Sequence, residues 1–88
     1  DDRIRNTTAA QALARYLIAR TGLSTRAAQL AHVADAIGAT SGMVYRYLAG
    51  ADTSAARVTD TCDRFGLAVW YSPTTGWIVA EEDDVDAR

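Results

Sequence analysis

The residues with the clearest capacity for chemistry in this chain are tyrosines and an arginine in one short segment. Tyr45, Arg46 and Tyr47 are consecutive in the run SGMVYRYLAG, which has the pattern of a helix. An arginine can form two parallel hydrogen bonds to a guanine edge, and a tyrosine can pack on a thymine methyl or donate to a phosphate. The competing interpretation is that the tyrosines are core residues and that Arg46 forms a surface ion pair with Asp35 or Asp52.

Few groups are suited to catalysis or metal binding. The chain has one histidine, His32, one cysteine, Cys62, and no glycine-rich phosphate loop. A catalytic nucleophile needs a neighbouring base and a metal site needs several ligands at suitable spacing, and neither pattern is present. We therefore expect no enzyme activity, no cofactor and no metal site, with His32 at the surface and Cys62 in the core.

Length and composition indicate a single small globular domain over residues 1–88. With 49% hydrophobic residues, the chain can form one core, but it is too short for two. The single cysteine excludes an internal disulfide. No long apolar run and no basic-then-apolar leader is present, so we expect a cytoplasmic protein without membrane contact.

The net charge of −2 is distributed unevenly along the chain. The C-terminal run EEDDVDAR contains five acids and one arginine, whereas residues 1–80 contain eight arginines and six aspartates. The body is therefore mildly basic, which is compatible with nucleic-acid binding, and the tail at residues 82–88 is strongly acidic. We expect a solvated tail; the alternative is that it mimics DNA or recruits a protein partner.

Helical spacing and capping residues predict four to five helices, before the spacing of the hydrophobic residues changes from helical to alternating. An arm over residues 1–6 precedes helices in AAQALARYLIART, TRAAQLAHVADAIG, SGMVYRYLAG and DTSAARVTDTCDRFGL. Short polar side chains precede each helix, the second being expected to start at Ser24, and Gly22, Gly38 and Gly50 end the first three. The residues of the last helix that we expect to point inward are Val58, Cys62 and Phe65.

The alternating pattern after Gly66 predicts a β-hairpin over residues 67–81. The runs LAVWYS and WIVAE are joined through PTTG, with Gly76 at a positive φ. If Ser72 pairs with Trp77, one face carries Trp70 and Val79, and the other carries Val69, Tyr71, Ile78 and Ala80. Both faces are apolar, so one should cover the helices and the other a second copy of the chain, or the folded-down tail. The residues predicted for a dimer interface are Trp70, Trp77 and Val79.

Residues 30–49 have the pattern of two helices that cross closely at a turn. Ala34 is small where the helices must approach, and Gly38 tolerates the left-handed conformation that the turn needs. The apolar positions that would hold the two helices together are Val33, Ile37, Val44 and either Tyr47 or Leu48. This segment resembles the helix-turn-helix of the repressor and Cro-like (Xre-type) DNA-binding family, and GMVYRYL is also similar to the recognition helix of TetR-type regulators. The long helix before the turn and the C-terminal hairpin depart from the Xre-type pattern.

The resemblance implies that the helix in SGMVYRYLAG enters the major groove with its N-terminal end first. Tyr47 would then face the core. The residues that would contact DNA are Thr40, Ser41, Gly42, Tyr45, Arg46 and, at the start of the preceding helix, Arg26. Arg3 and Arg5 would enter a minor groove as an arm, the alternative being an unattached terminus. The remaining helix arginines, Arg15, Arg20, Arg57 and Arg64, are expected to be solvated charges.

These observations predict a mainly α helix-turn-helix domain of four to five helices with a C-terminal β-hairpin. The expected function is sequence-specific binding of double-stranded DNA by a homodimeric transcriptional regulator, a repressor. Two copies about 34 Å apart would read a palindrome, since one helix with one arginine reads too few bases. The alternative is a protein-interaction module, an adaptor or antitoxin-like factor, that uses the hairpin and the acidic tail.

Overall fold

Four helices and one antiparallel hairpin make up residues 6–83, the part of the chain that the computed structural model describes. The elements are α1 (Ala9–Ala19), α2 (Arg26–Ile37), α3 (Ser41–Leu48), α4 (Ala55–Phe65), β1 (Leu67–Ser72) and β2 (Gly76–Glu81). The mainly helical fold with a C-terminal hairpin is therefore confirmed. No helix within the described range is long and apolar enough to cross a membrane. The predicted minor-groove residues Arg3 and Arg5, and most of the predicted acidic tail, lie outside the described residues.

Each helix begins at a hydroxyl side chain that accepts a hydrogen bond from the backbone amide three residues later. The capping residues are Thr8, Thr25, Thr40 and Ser54. Such a cap satisfies one of the amides that have no partner inside the helix, which is why the helices start at these positions. The second helix is capped by Thr25, one residue after the predicted Ser24.

The first core cluster joins α1, α2 and α3. Its buried members are Ala10, Ala14, Val33, Ala34, Val44 and Tyr47. Alanines at the helix contacts allow the backbones to approach closely, and Val33 and Val44 fill the centre with almost no exposed surface. Tyr47 lies in this core as predicted, with 8% of its surface exposed.

The second core cluster joins α1 to α4 and the hairpin. Leu13, Cys62 and Leu67 are its buried members. Cys62 is buried as predicted, and this burial, followed by the charges of Asp63 and Glu82, raises the pKa of its thiol. The prediction that Phe65 points inward is wrong: the ring is 37% exposed. Phe65 is the last residue of α4 and lines an open gap between α4 and α2.

The hairpin register differs by one residue from the predicted one, in which Ser72 pairs with Trp77. Ser72 pairs with Gly76, Tyr71 with Trp77, Trp70 with Ile78 and Val69 with Val79. Gly76 has a φ of 82°, as predicted, but it belongs to β2 and not to the connecting loop. Because paired residues share a face, Val79 and Trp77 lie on one face and Trp70 lies on the other. The three residues predicted for a dimer interface are therefore not on a common face.

Asn6, the last residue of the predicted arm, is held against the outer edge of β2. The amide of Trp77 donates to the Asn6 carbonyl at 3.0 Å, and Asn6 Nδ2 donates to the Trp77 carbonyl at 3.0 Å. Arg15 also donates to Asn6 Oδ1 at 2.8 Å. A Cβ on Gly76 would lie 2.5 Å from the Asn6 carbonyl oxygen, so this approach requires glycine at position 76.

Candidate nucleic-acid interface

The turn between α2 and α3 has few residues and a fixed conformation. Gly38 has a φ of 72°, and the amide of Ala39 donates to the Ala34 carbonyl at 2.8 Å. Thr40 Oγ1 then accepts from the amide of Met43 at 3.2 Å and starts α3. The left-handed glycine and the threonine cap together set the direction in which α3 leaves α2.

Helix α3 has one buried face and one exposed face. Val44 is completely buried and Tyr47 is nearly so, whereas Tyr45 is 62% exposed. The exposed positions of α3 and its C-cap are Ser41, Gly42, Tyr45, Arg46 and Ala49. With the exposed cap Thr40, the structure therefore brings all the predicted groove-contacting residues of this helix onto one surface.

Gln11 fixes the C-terminal end of α3 to the start of α1. Its Oε1 accepts from the amide of Thr7 at 2.8 Å, and its Nε2 donates to the Leu48 carbonyl at 2.8 Å. The side chain is 94% buried, so these bonds form away from water. Sequence reasoning missed this residue, although Thr8 followed three residues later by Gln11 has the spacing of a capping box.

The exposed arginines divide into those that have partners within the protein and those that do not. Arg20 pairs with Glu81 at 3.3 Å and lies 4.5 Å from the ring centre of Tyr16, and Arg64 donates to the Ala36 carbonyl at 3.0 Å. With Arg15 bonded to Asn6, three of the four arginines expected to be solvated charges connect separate elements instead.

Arg26 and Arg46 are the exposed arginines without such a role. Within residues 6–83, no hydrogen bond or ion pair joins either guanidinium to another residue, and Arg46 does not pair with Asp35 or Asp52. Arg26 also lines a shallow surface hollow together with Tyr45. Among the exposed arginines of residues 6–83, the two without a partner therefore lie beside the exposed tyrosine.

The described part of the chain contains His32 and Cys62, the single histidine and the single cysteine of the sequence. No group of three or more His, Cys, Asp or Glu side chains there could hold a metal ion. His32 is exposed on α2, as predicted.

Comparisons with known proteins add no assignment. No family model, curated protein or solved structure matches the chain.

Proposed function

We propose that the protein is a sequence-specific double-stranded DNA-binding regulator of transcription, a repressor, in which α2 and α3 act as a helix-turn-helix. The observation that carries this proposal is Arg46, a guanidinium without a partner among residues 6–83, beside the exposed ring of Tyr45 on a helix whose opposite face buries Val44 and Tyr47. A guanidinium with this freedom can bind the two acceptors of a guanine in the major groove.

Gly42 gives independent support. Glycine in a helix interior costs about 1 kcal/mol relative to alanine and less in the first turn, where Gly42 lies, so its presence still needs a reason. The fold provides none, because a Cβ at Gly42 would meet nothing closer than Thr40 Oγ1 at 3.9 Å and the backbone is ordinary helix. In the proposed complex, the missing side chain lets the first turn of α3 approach the duplex closely.

The regulator acts as a homodimer in this proposal, joined through the partly buried hairpin face opposite to the one that carries Val69 and Val79. That face carries Trp70 and Ile78 beside Ala68 and Ala80, has no charged residue, and belongs to neither core cluster. The large side chains of Trp70 and Ile78 neighbour the small ones of Ala68 and Ala80, so in a two-fold arrangement the large residues of one copy can pack against the small residues of the other. The molecule measures 35 × 28 × 26 Å, so neighbouring copies can occupy half-sites about 34 Å apart.

The experiment that tests DNA reading is selection of bound duplexes from a random library, followed by binding assays with single variants. Arg46→Ala should lose about 1–3 kcal/mol of discrimination at one base pair, since a bidentate contact to guanine is removed. Arg26→Ala should weaken binding to all sequences and lower the salt dependence by about one counterion. Arg20→Ala is the control, because it removes the same charge from the end of α1 and leaves the residues of α3 unchanged.

Two outcomes would contradict this proposal. Recovery of no sequence motif, with binding that disappears as salt rises, would leave only phosphate attraction and favour the protein-interaction module. Equal effects of Arg46→Ala and Arg20→Ala on specificity would show that α3 does not read bases.

The homodimer is tested separately by sedimentation equilibrium without DNA. Trp70→Arg should shift the protein to monomer, whereas Tyr71→Arg should not, because the neighbouring tyrosine lies on the opposite face and is already 54% exposed. An unchanged mass for both variants would remove the hairpin from the interface.

A further inference from the structure

A cavity of about 230 Å³ separates α2 from α4 and the hairpin. α2 packs on α1 and α3, whereas α4 packs on α1 and β1, so the two halves of the molecule are not closed against each other on this side. The bond from Arg64 to the Ala36 carbonyl crosses the gap. The apolar lining of the cavity is formed by Leu17, Val33, Ala36, Phe65 and Leu67.

We propose that this cavity is a binding site for a small, uncharged, bicyclic aromatic molecule that carries an N–H or O–H donor. Size supports two rings, since an apolar protein cavity of about 150 Å³ accommodates benzene and this one is larger. The apolar walls include the partly exposed ring of Phe65, against which a planar ligand can stack.

The polar groups at the cavity determine the charge and the hydrogen bonds of the ligand. Arg20 and Glu81 form an ion pair at 3.3 Å, so the two charges at the mouth already neutralise each other. A charged ligand would have to break that pair, whereas a neutral one leaves it intact. The carboxylate of Glu81 and the imidazole of His32 both line the cavity and can accept a hydrogen bond from a ligand donor.

The test is titration of the protein with indole, followed by amide and methyl chemical shifts. Indole should shift the signals of Val33, Leu67 and their neighbours and should show nuclear Overhauser contacts to these methyl groups. Ala36→Leu should weaken indole binding at least about tenfold by filling the cavity. Ala31→Leu makes the same change at an exposed position of the same helix, and it should leave the affinity unchanged.

A second variant keeps the test decisive if Ala36→Leu does not fold. Phe65→Ala removes one wall of the cavity at a partly exposed position and should also weaken indole binding. Equal affinity of all variants, or shifts scattered outside the cavity, would overturn the site. Tighter binding of indole-3-acetate or tryptamine than of indole would overturn the uncharged ligand class. No DNA is present, so the result does not depend on the proposed regulatory function.

Discussion

Replacement of Gly76 by alanine tests whether the N-terminal segment and the hairpin stabilise one another. The φ of 82° costs a non-glycine residue about 1–2 kcal/mol. In addition, the new Cβ would lie 2.5 Å from the Asn6 carbonyl oxygen, so Asn6 must move by roughly 1 Å to restore van der Waals distance. That movement breaks the two 3.0 Å bonds between Asn6 and Trp77, each worth about 0.5–1.5 kcal/mol. The expected loss in free energy of unfolding is about 2–5 kcal/mol.

The measurement is urea unfolding of Gly76→Ala beside a matched control, Gly22→Ala. Gly22 has a similar φ of 71°, but no atom lies within 4 Å of a Cβ at that position. The control therefore reports backbone strain alone, about 1–2 kcal/mol. Equal destabilisation by the two substitutions would refute the claim that contact with Asn6 requires glycine at position 76.

Three further outcomes follow from the geometry. Gly42→Ala should raise the free energy of unfolding by up to about 1 kcal/mol while weakening DNA binding; unchanged or tighter binding would show that no duplex approaches this turn. Tyr16→Phe should leave stability within about 1 kcal/mol of the parent or raise it, because the buried hydroxyl has no hydrogen-bond partner in the described chain; a larger loss in urea unfolding would reveal a missed partner. Burial raises the pKa of the Cys62 thiol in the folded protein above its ordinary value of 9.0. As the pH rises past 9.0, the thiol of the unfolded chain therefore ionises first, and the native protein should lose stability relative to Cys62→Ala by up to about 1.4 kcal/mol per pH unit. Parallel stability profiles of the two proteins from pH 8 to 10, a range of about two units around the ordinary thiol pKa, would contradict this.

The turn between α2 and α3 could be predicted because its determinants are local. Gly38 and Thr40 act through their own backbone conformation and through bonds to residues three to five positions away. The same holds for the inward position of Tyr47, which follows from its spacing to Val44 on a helix.

The hairpin register could not be predicted, because alternation specifies register only when the two faces differ in polarity. Both faces of this hairpin are apolar, so a shift of one residue exchanges one set of hydrophobic residues for another. The observed register places Val69 and Val79 against the helices, and Asn6 binds β2 at Trp77. These determinants come from distant parts of the chain.

The partners of Arg20 and Arg64 could not be predicted either, because they also come from distant parts of the chain. Arg20 finds Glu81, and Arg64 finds the Ala36 carbonyl, across 61 and 28 positions of sequence. Local spacing contains no signal for such pairs. Only the folded structure shows that Arg20 and Arg64 have partners, whereas Arg26 and Arg46 have none among residues 6–83.

The link between Asn6 and β2 makes one more prediction about the proposed DNA complex. Asn6, which follows the segment containing Arg3 and Arg5 in the sequence, is bonded to the edge of the hairpin at Trp77. If these arginines contact DNA, their contribution depends on that anchor, because a held segment loses less conformational entropy on binding. Arg5→Ala should therefore weaken DNA binding more in the native background than in Gly76→Ala, where the anchor is broken. Additive effects in this double-mutant cycle would show that the anchor at Asn6 does not contribute to DNA binding through the arm.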